Sequence, residues 1–135
     1  MSLRRKSREC ALQMLFQWGM NRQPPAKLEA SFWKSTRGAA TTRKFANELF
    51  EGAATQVEAI DALIGQLSAN WRVERMSEID RAILRLGTYE LRSGTAPVKV
   101  VINEAIELAK KFSNPESTAF LNGILDSASK YLENR

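Results

Sequence analysis

The segment from Val98 to Phe112 constrains the fold more than any other stretch, because its apolar residues follow a helical period. At 100° per residue they fall within one arc of roughly 160°. This arc consists of Val98, Val101, Ile102, Ala105, Ile106, Leu108, Ala109 and Phe112. Pro97 precedes the segment and Asn114-Pro115 follows it, which favours a helix bounded at these positions. An arc this wide needs neighbours on two sides and therefore predicts a central core helix.

The rest of the chain has the same period, and no segment alternates with the period of a strand. The first predicted helices are Ser2 to Met20, a short helix after Pro24-Pro25 and a long helix from Thr41 or Thr42 to Leu67. A corner at Trp71 and a short helical piece from Val73 to Met76 follow, and then a helix from Ser77 to Gly94. The segment described above and a last helix after Asn114 complete the set. The sequence thus predicts an all-α protein, a compact bundle of six or seven helices, with residues 1–135 as a single domain.

Small and capping residues allow some finer predictions. Gly52 is small enough to let another helix approach closely, and Gly123 inside the last helix predicts a close backbone contact, since glycine there costs about 1 kcal/mol. Ser77 and Asp80 have the spacing of a capping box, which gives Asp80 a structural role.

The composition excludes several classes of function. The chain has no histidine, which removes histidine metal sites and the commonest general base. Its single cysteine, Cys10, lies on an apolar helix face and has no partner for a disulfide, which fits a cytoplasmic protein. No apolar run has the length of a membrane span, and no phosphate loop or dinucleotide motif is present. We expect no enzyme, no metal and no cofactor.

The positive charge is concentrated at one end of the chain. Residues 1–46 contain ten Lys or Arg and two acidic residues, a net charge of +8, whereas residues 47–135 have a net charge of −3. Arg4, Arg5, Lys6 and Arg8 crowd the first turns of the first helix, although cations oppose the helix dipole there. Phosphate is the ligand that this pattern favours. The alternatives are a frayed basic tail and a solvated basic surface.

Four segments in order resemble the NusB family of bacterial transcription antitermination factors. They are Arg4-Arg5-Lys6-Ser7-Arg8-Glu9 with Ala11 and Gln13, Ile79 to Arg85 with Tyr89-Glu90-Leu91, Pro97 to Val100 with Ile102 to Lys110, and Phe120 to Asp126. The resemblance covers nearly the whole chain. It implies an all-helical protein that binds single-stranded boxA RNA together with NusE, a small-subunit ribosomal protein, within an RNA polymerase antitermination complex.

The resemblance also implies two sets of contact residues. The RNA-binding set is Arg4, Arg5, Lys6, Arg8, Gln13, Lys110, Lys111, Phe112, Ser117 and Phe120. The NusE-binding set is Glu74, Arg75, Asp80, Arg81, Leu84 and Glu90. Single-stranded RNA needs cations for its backbone and flat side chains for its bases, and the first set contains both. Asp80 has a role as a helix cap, as a partner contact, or as both.

The chain departs from the family pattern at a few positions. Ser113 stands where many relatives have glycine, Ala119 where many have lysine, and Phe16 where the family has tyrosine. Two alternative functions remain open at this point. One is a protein-interaction module without RNA binding, and the other is a relative of the NusB-like domain of ribosomal RNA methyltransferases. Members of the family differ in self-association, so a homodimer is also left open.

Overall fold

The computed structural model describes residues 3–68 and 75–134, and these residues form seven α-helices. The helices are Leu3–Met20 (α1), Pro25–Ser35 (α2), Ala40–Thr55 (α3), Val57–Leu67 (α4), Glu78–Ser93 (α5), Val98–Phe112 (α6) and Pro115–Glu133 (α7). The predicted all-α class is confirmed. The predicted corner at Trp71 and the start of the predicted piece at 73–76 lie outside the described residues. None of the described helices is long and apolar enough to cross a membrane.

The central helix is α5, which corrects the prediction that α6 holds this position. α5 packs against α1, α3, α4, α6 and α7. Every residue from Ala82 to Thr88 is buried, so α5 is surrounded on all sides. The bounds of α6 are those predicted, and its apolar arc does have two neighbours, α5 and α7. However, α6 leaves Val98 and Val100 exposed. Polar residues interrupt the apolar pattern of α5, so the sequence did not indicate that this helix is central in the fold.

The long helix predicted from Thr41 or Thr42 to Leu67 is divided into α3 and α4 at Gln56. Gln56 has φ −97° and ψ 13°, outside the helical region. The hydrogen bonds continue across it, since its N–H donates to the Gly52 carbonyl at 3.1 Å and its own carbonyl accepts from Ile60 at 2.9 Å. Its side-chain oxygen also accepts from Arg92 Nε of α5 at 3.2 Å. The division is therefore a local change of direction, held in part by a contact to α5.

The two glycine predictions have opposite outcomes. The ring of Tyr89 on α5 occupies the space where a Cβ of Gly52 would lie, so the predicted close approach is confirmed. No atom lies within 4 Å of the corresponding position at Gly123, which is exposed on α7. The predicted close contact at Gly123 is therefore wrong.

Candidate nucleic-acid interface

The four basic residues at the start of α1 differ in their exposure. Arg4 and Arg5 are exposed, Lys6 is half-buried and Arg8 is buried. The guanidinium of Arg4 lies over the ring of Phe45 on α3, 4.2 Å from its centroid, as in a cation–π contact. The fold therefore buries Arg8 and leaves the other three members of the predicted cluster at least partly exposed.

Arg8 and Glu90 form a buried ion pair between α1 and α5. Arg8 Nε and Nη2 donate to the two carboxylate oxygens of Glu90, each at 2.9 Å, and the side chains are 4% and 2% exposed. Burial alone would lower the pKa of Arg8, but the hydrogen bonds and the charge of Glu90 outweigh it, and this pKa is raised. Thr95 Oγ1 donates to Glu90 as well, at 2.8 Å. The structure contradicts the expectation that Arg8 contacts RNA and Glu90 contacts NusE, because neither side chain reaches the surface.

Arg5 forms a similar pair with Glu104 of α6, but at the surface. Its Nε and Nη2 donate to the carboxylate at 3.1 and 2.7 Å, and the two side chains are 46% and 16% exposed. The hydrogen bond from Arg5 lowers the pKa of Glu104, while Glu104 raises the pKa of Arg5. Arg5 is therefore neutralised by its neighbour and still open to solvent.

The two lysines at the end of α6 also lie beside glutamates. Lys111 Nζ donates to both oxygens of Glu9 on α1 at 3.0 Å, and Lys110 Nζ lies 3.6 Å from Glu107. We call the surface formed by Arg5, Glu9, Glu104, Glu107, Lys110 and Lys111 the α1–α6 face. Two neighbouring clefts of about 620 and 410 Å³ open on this face. It is a polar groove that brings together three of the predicted RNA-binding cations.

The remaining predicted RNA-binding residues lie in two other places. Gln13 and Phe112 line an apolar cavity of about 480 Å³ together with Phe16, beside the end of α6. The Nζ atom of Lys111 lies 5.6 Å from the centroid of the Phe112 ring, so this cavity adjoins the α1–α6 face. Ser117 and Phe120 line a fourth cavity, of about 280 Å³, at the start of α7.

The predicted NusE-binding residues are only partly at the surface. Arg75 is exposed, and Arg81 is half-buried, donating to Glu78 at 2.8 Å. Leu84 is fully buried in the core, so the structure contradicts its predicted partner contact. Glu74 lies outside the described residues.

Asp80 links the two predicted sets. The Oγ of Ser77 accepts from the backbone N–H of Asp80 at 3.2 Å, which confirms Ser77 as the N-cap. The other half of the predicted capping box is not formed, because the carboxylate of Asp80 bonds to other helices. The carboxylate itself accepts from Ser113 Oγ at 2.7 Å and from Ser117 Oγ at 2.8 Å. Asp80 therefore binds the α6–α7 corner, and Arg75 and Phe120 line the same cavity.

The comparisons with known proteins agree with this helical bundle. The NusB family model matches residues 5–130. The transcription antitermination protein NusB of Koribacter versatilis is 46% identical over 132 residues, covering 96% of this chain and 90% of the relative. That of Myxococcus xanthus is 47% identical over 131 residues, covering 93% and 94%. The chain belongs to the NusB family.

Solved NusB structures have the same fold. T. maritima NusB is 34% identical, with a TM-score of 0.84, and the match covers 94% of this chain and 90% of that one. A crystal structure of the antitermination factors NusB and NusE in complex with double-stranded RNA contains a chain with a TM-score of 0.86 and 25% identity, covering 97% and 98%.

Sequence reasoning missed the carboxylates that face the cations of this chain. No separate role was predicted for Glu9, Glu104 or Glu107. For Glu104 the signal was the opposite net charge of residues 1–46 and 47–135, which also indicates pairing between the two parts of the chain. Glu9 and Glu107 gave no such signal, because Glu9 lies in the basic part and Glu107 pairs within the acidic part. Cys10 is buried, and burial raises the pKa of its thiol. No group of three or more metal-binding side chains occurs within residues 3–68 and 75–134.

Proposed function

We propose that this chain is a transcription antitermination factor, a non-catalytic adaptor that holds single-stranded boxA RNA together with NusE in an RNA polymerase antitermination complex. Residues 1–135 form one domain, and the protein acts in the cytoplasm, where bacterial RNA polymerase works. The proposal is supported by membership of the NusB family, whose relatives are named transcription antitermination proteins. A NusB relative has also been crystallised with NusE and RNA.

The observation that bears most weight is the α1–α6 face. Arg5, Lys110 and Lys111 are exposed or half-exposed there, on two neighbouring helices, beside open clefts. Each is neutralised by a glutamate, yet an exposed ion pair contributes only about 0–1 kcal/mol. A phosphate group binds arginine through two hydrogen bonds and releases counterions from the RNA. An RNA backbone therefore replaces Glu104 and Glu107 at small cost. Lys111 instead keeps Glu9, which is buried and cannot be left without its partner, and presents its exposed ammonium group to phosphate beside it.

Aromatic rings next to this face supply sites for bases. Phe112 lies beside Lys111 and lines the apolar cavity, and Phe120 lines the cavity at the start of α7. Stacking of a base on such a ring contributes about 1–3 kcal/mol. We assign the backbone to Arg5, Lys110 and Lys111, and the bases to the two phenylalanines. The resemblance adds Lys6 and Arg4, which lies over Phe45 of α3, to the RNA-binding residues.

NusE is assigned to the neighbouring surface at the start of α5. Arg75 is exposed there, and Asp80 and Arg81 are half-buried beside it. The resemblance adds Glu74 to this surface. Since Leu84 and Glu90 lie in the interior, they serve the fold and not the partner.

The test is the affinity for a fluorescently labelled boxA RNA, measured by anisotropy with and without NusE. We expect the double variant Arg5→Ala, Lys111→Ala to bind at least tenfold more weakly than wild type. The matched control is Lys130→Ala, because Lys130 is an exposed, paired cation on α7 outside the α1–α6 face. Equal losses in both variants would argue against a defined RNA surface.

The same experiment decides between RNA binding and a protein-interaction module. The carboxylate beside each cation of the α1–α6 face is the feature that favours the second function, because such a face is close to neutral. If NusE binds and boxA RNA never binds, even at low salt, the chain is a protein-interaction module without RNA binding. The solution mass measured alongside reports whether a homodimer forms.

A further inference from the structure

The carboxylate of Asp80 joins three helices at one point. Asp80 lies in the first turn of α5, Ser113 caps the end of α6 and Ser117 lies in the first turn of α7. Each carboxylate oxygen accepts from one serine hydroxyl, and the two hydroxyl oxygens lie 3.2 Å apart. Asn114 also caps α7 by accepting from the backbone N–H of Ser117 at 3.0 Å. The α6–α7 corner is thereby fixed to the start of α5.

This junction lies between the two surfaces proposed above. Ser117 and Phe120 belong to the RNA-binding set, while Asp80 and Arg75 belong to the NusE-binding set, and all four line one cavity of about 280 Å³. Lys110 and Lys111 lie in the last turn of α6, which ends at Phe112 directly before Ser113. A group of NusE at Asp80 would therefore act on the segment that presents both RNA-binding lysines and Phe120.

We propose that Asp80 is a positioning residue that couples the binding of NusE to the binding of RNA through Ser113 and Ser117. This inference rests on the proposed function and adds the means by which the two ligands assist each other. A carboxylate offers about four acceptor sites, and the serines use two of them. A cationic group of NusE occupies the others without displacing the hydroxyls.

The expected result of this arrangement is positive coupling. A cation at Asp80 further restricts the carboxylate, and the carboxylate further restricts the α6–α7 corner, so that RNA then binds a corner held more tightly than in the free protein. The coupling factor is the ratio of the RNA dissociation constants without and with saturating NusE, and thermodynamic linkage makes it equal for the two ligands. For wild type we expect a factor of about five or more.

The test compares this factor between variants of the full chain. The double variant Ser113→Ala, Ser117→Ala removes both hydroxyls but keeps the backbone cap from Asn114. Ser117→Thr restores one hydroxyl and serves as the rescue. Ser35→Ala is the control, because Ser35 is an exposed serine at the end of α2 whose hydroxyl donates to the Phe32 carbonyl. Thermal unfolding followed by circular dichroism reports whether each variant is folded.

We expect the coupling factor of the double variant to fall towards one. Ser117→Thr in the Ser113→Ala background should recover part of the coupling factor. The control Ser35→Ala should have the coupling factor of wild type. A folded double variant with an unchanged factor overturns the inference and leaves the proposed function intact. A wild-type protein that binds both ligands with a coupling factor of one also overturns the inference and leaves the proposed function intact. A wild-type protein that binds no RNA with NusE present overturns both.

Should the double variant not fold, Ser113→Gly is measured in its place, since it removes one of the hydroxyls and keeps Ser117. It is expected to lower the factor by about half or more. An unchanged factor in this single variant overturns the inference as well.

Discussion

Arg5 and Arg8 lie three residues apart on the same helix, and each is held by one glutamate through two hydrogen bonds. Their surroundings differ. Arg8 and Glu90 are enclosed between α1 and α5, whereas Arg5 and Glu104 lie at the edge of an open cleft between α1 and α6. The hydrogen-bond geometry is nearly the same, so burial distinguishes the two pairs.

The comparison teaches that one basic segment serves two purposes. A buried charge cannot be left without its partner, so the Arg8–Glu90 pair fixes how α1 meets α5. The exposed pair contributes little to stability and exchanges Glu104 for another anion at low cost. We therefore assign Arg8 to the fold and Arg5 to the ligand.

The largest effect is expected when the buried pair is broken. Glu90→Ala leaves the guanidinium of Arg8 buried without its carboxylate and should lower the free energy of unfolding by about 3–5 kcal/mol. Urea unfolding measures this. The double variant Arg8→Met, Glu90→Leu removes both charges and should recover most of the loss. A loss below about 1 kcal/mol in Glu90→Ala would show that the pair does not hold α1 against α5.

Reversing the charge of the exposed cation should affect RNA instead of stability. Arg5→Glu places a carboxylate opposite Glu104 and should weaken boxA binding by about 10- to 100-fold, since like charges now face the phosphates. The free energy of unfolding should be nearly unchanged, because the ion pair is open to solvent. Lys130→Glu is the matched control and should leave RNA affinity within about threefold. Equal losses of RNA affinity in Arg5→Glu and Lys130→Glu would place RNA binding outside the α1–α6 face.

The third prediction concerns Glu29, whose carboxyl group lies beside that of Glu51. Burial and the neighbouring Glu51 raise the pKa of Glu29 to about 8, and its Oε2 is buried without a hydrogen-bond partner among the described residues. Between pH 4.5 and 8 the folded protein therefore binds more protons than the unfolded chain, and the free energy of unfolding falls as the pH rises.

Glu29→Gln should remove this dependence. It should raise the free energy of unfolding by roughly 1–2 kcal/mol at a pH above 8 and leave it nearly unchanged near pH 5. Urea unfolding across this range measures it. Glu48→Gln, an exposed position on the same helix as Glu51, should keep the wild-type pH profile. A Glu29→Gln profile that runs parallel to wild type would contradict the account.

The smallest effect concerns the carboxylate that competes with RNA. Glu104→Gln removes the charge that neutralises Arg5 and should raise boxA affinity by roughly two- to fivefold at low salt. Asp126→Asn removes the carboxylate beside Lys130 and should have no such effect. If Glu104→Gln lowered the affinity, Glu104 would be orienting Arg5 for RNA instead of competing with it.

The helices were predictable from sequence because their apolar periods are strong. Val98–Phe112 has the predicted bounds, and the cap at Ser77 is confirmed. The central position of α5 was not predictable in this way. Arg85 and Thr88 interrupt its apolar pattern, yet both are buried, and Arg85 is paired with Asp61 of α4 at 2.8 Å. A partner on another helix decides the burial of Arg85, and a single-segment pattern does not contain that partner. The hydroxyl of Thr88 is buried with no hydrogen-bond partner among the described residues.

The candidate site was predictable only in part for the same reason. The arginine-rich start of α1 was visible in the sequence, but three of its four residues have different surroundings, set by Phe45, Glu104 and Glu90. These partners lie far along the chain and depend on how α1 crosses its neighbours. Likewise, the spacing of Ser77 and Asp80 indicated a cap, whereas the bonds from the α6–α7 corner to Asp80 required the fold.

The most direct test of the separation between Arg5 and Arg8 is the salt dependence of boxA binding in Arg5→Ala. Each phosphate contact to a single strand contributes about −0.7 to the slope of log K against log salt concentration. The account predicts that the slope of Arg5→Ala is shallower than that of wild type by about 0.7, at unchanged stability. A slope equal to that of wild type would contradict it.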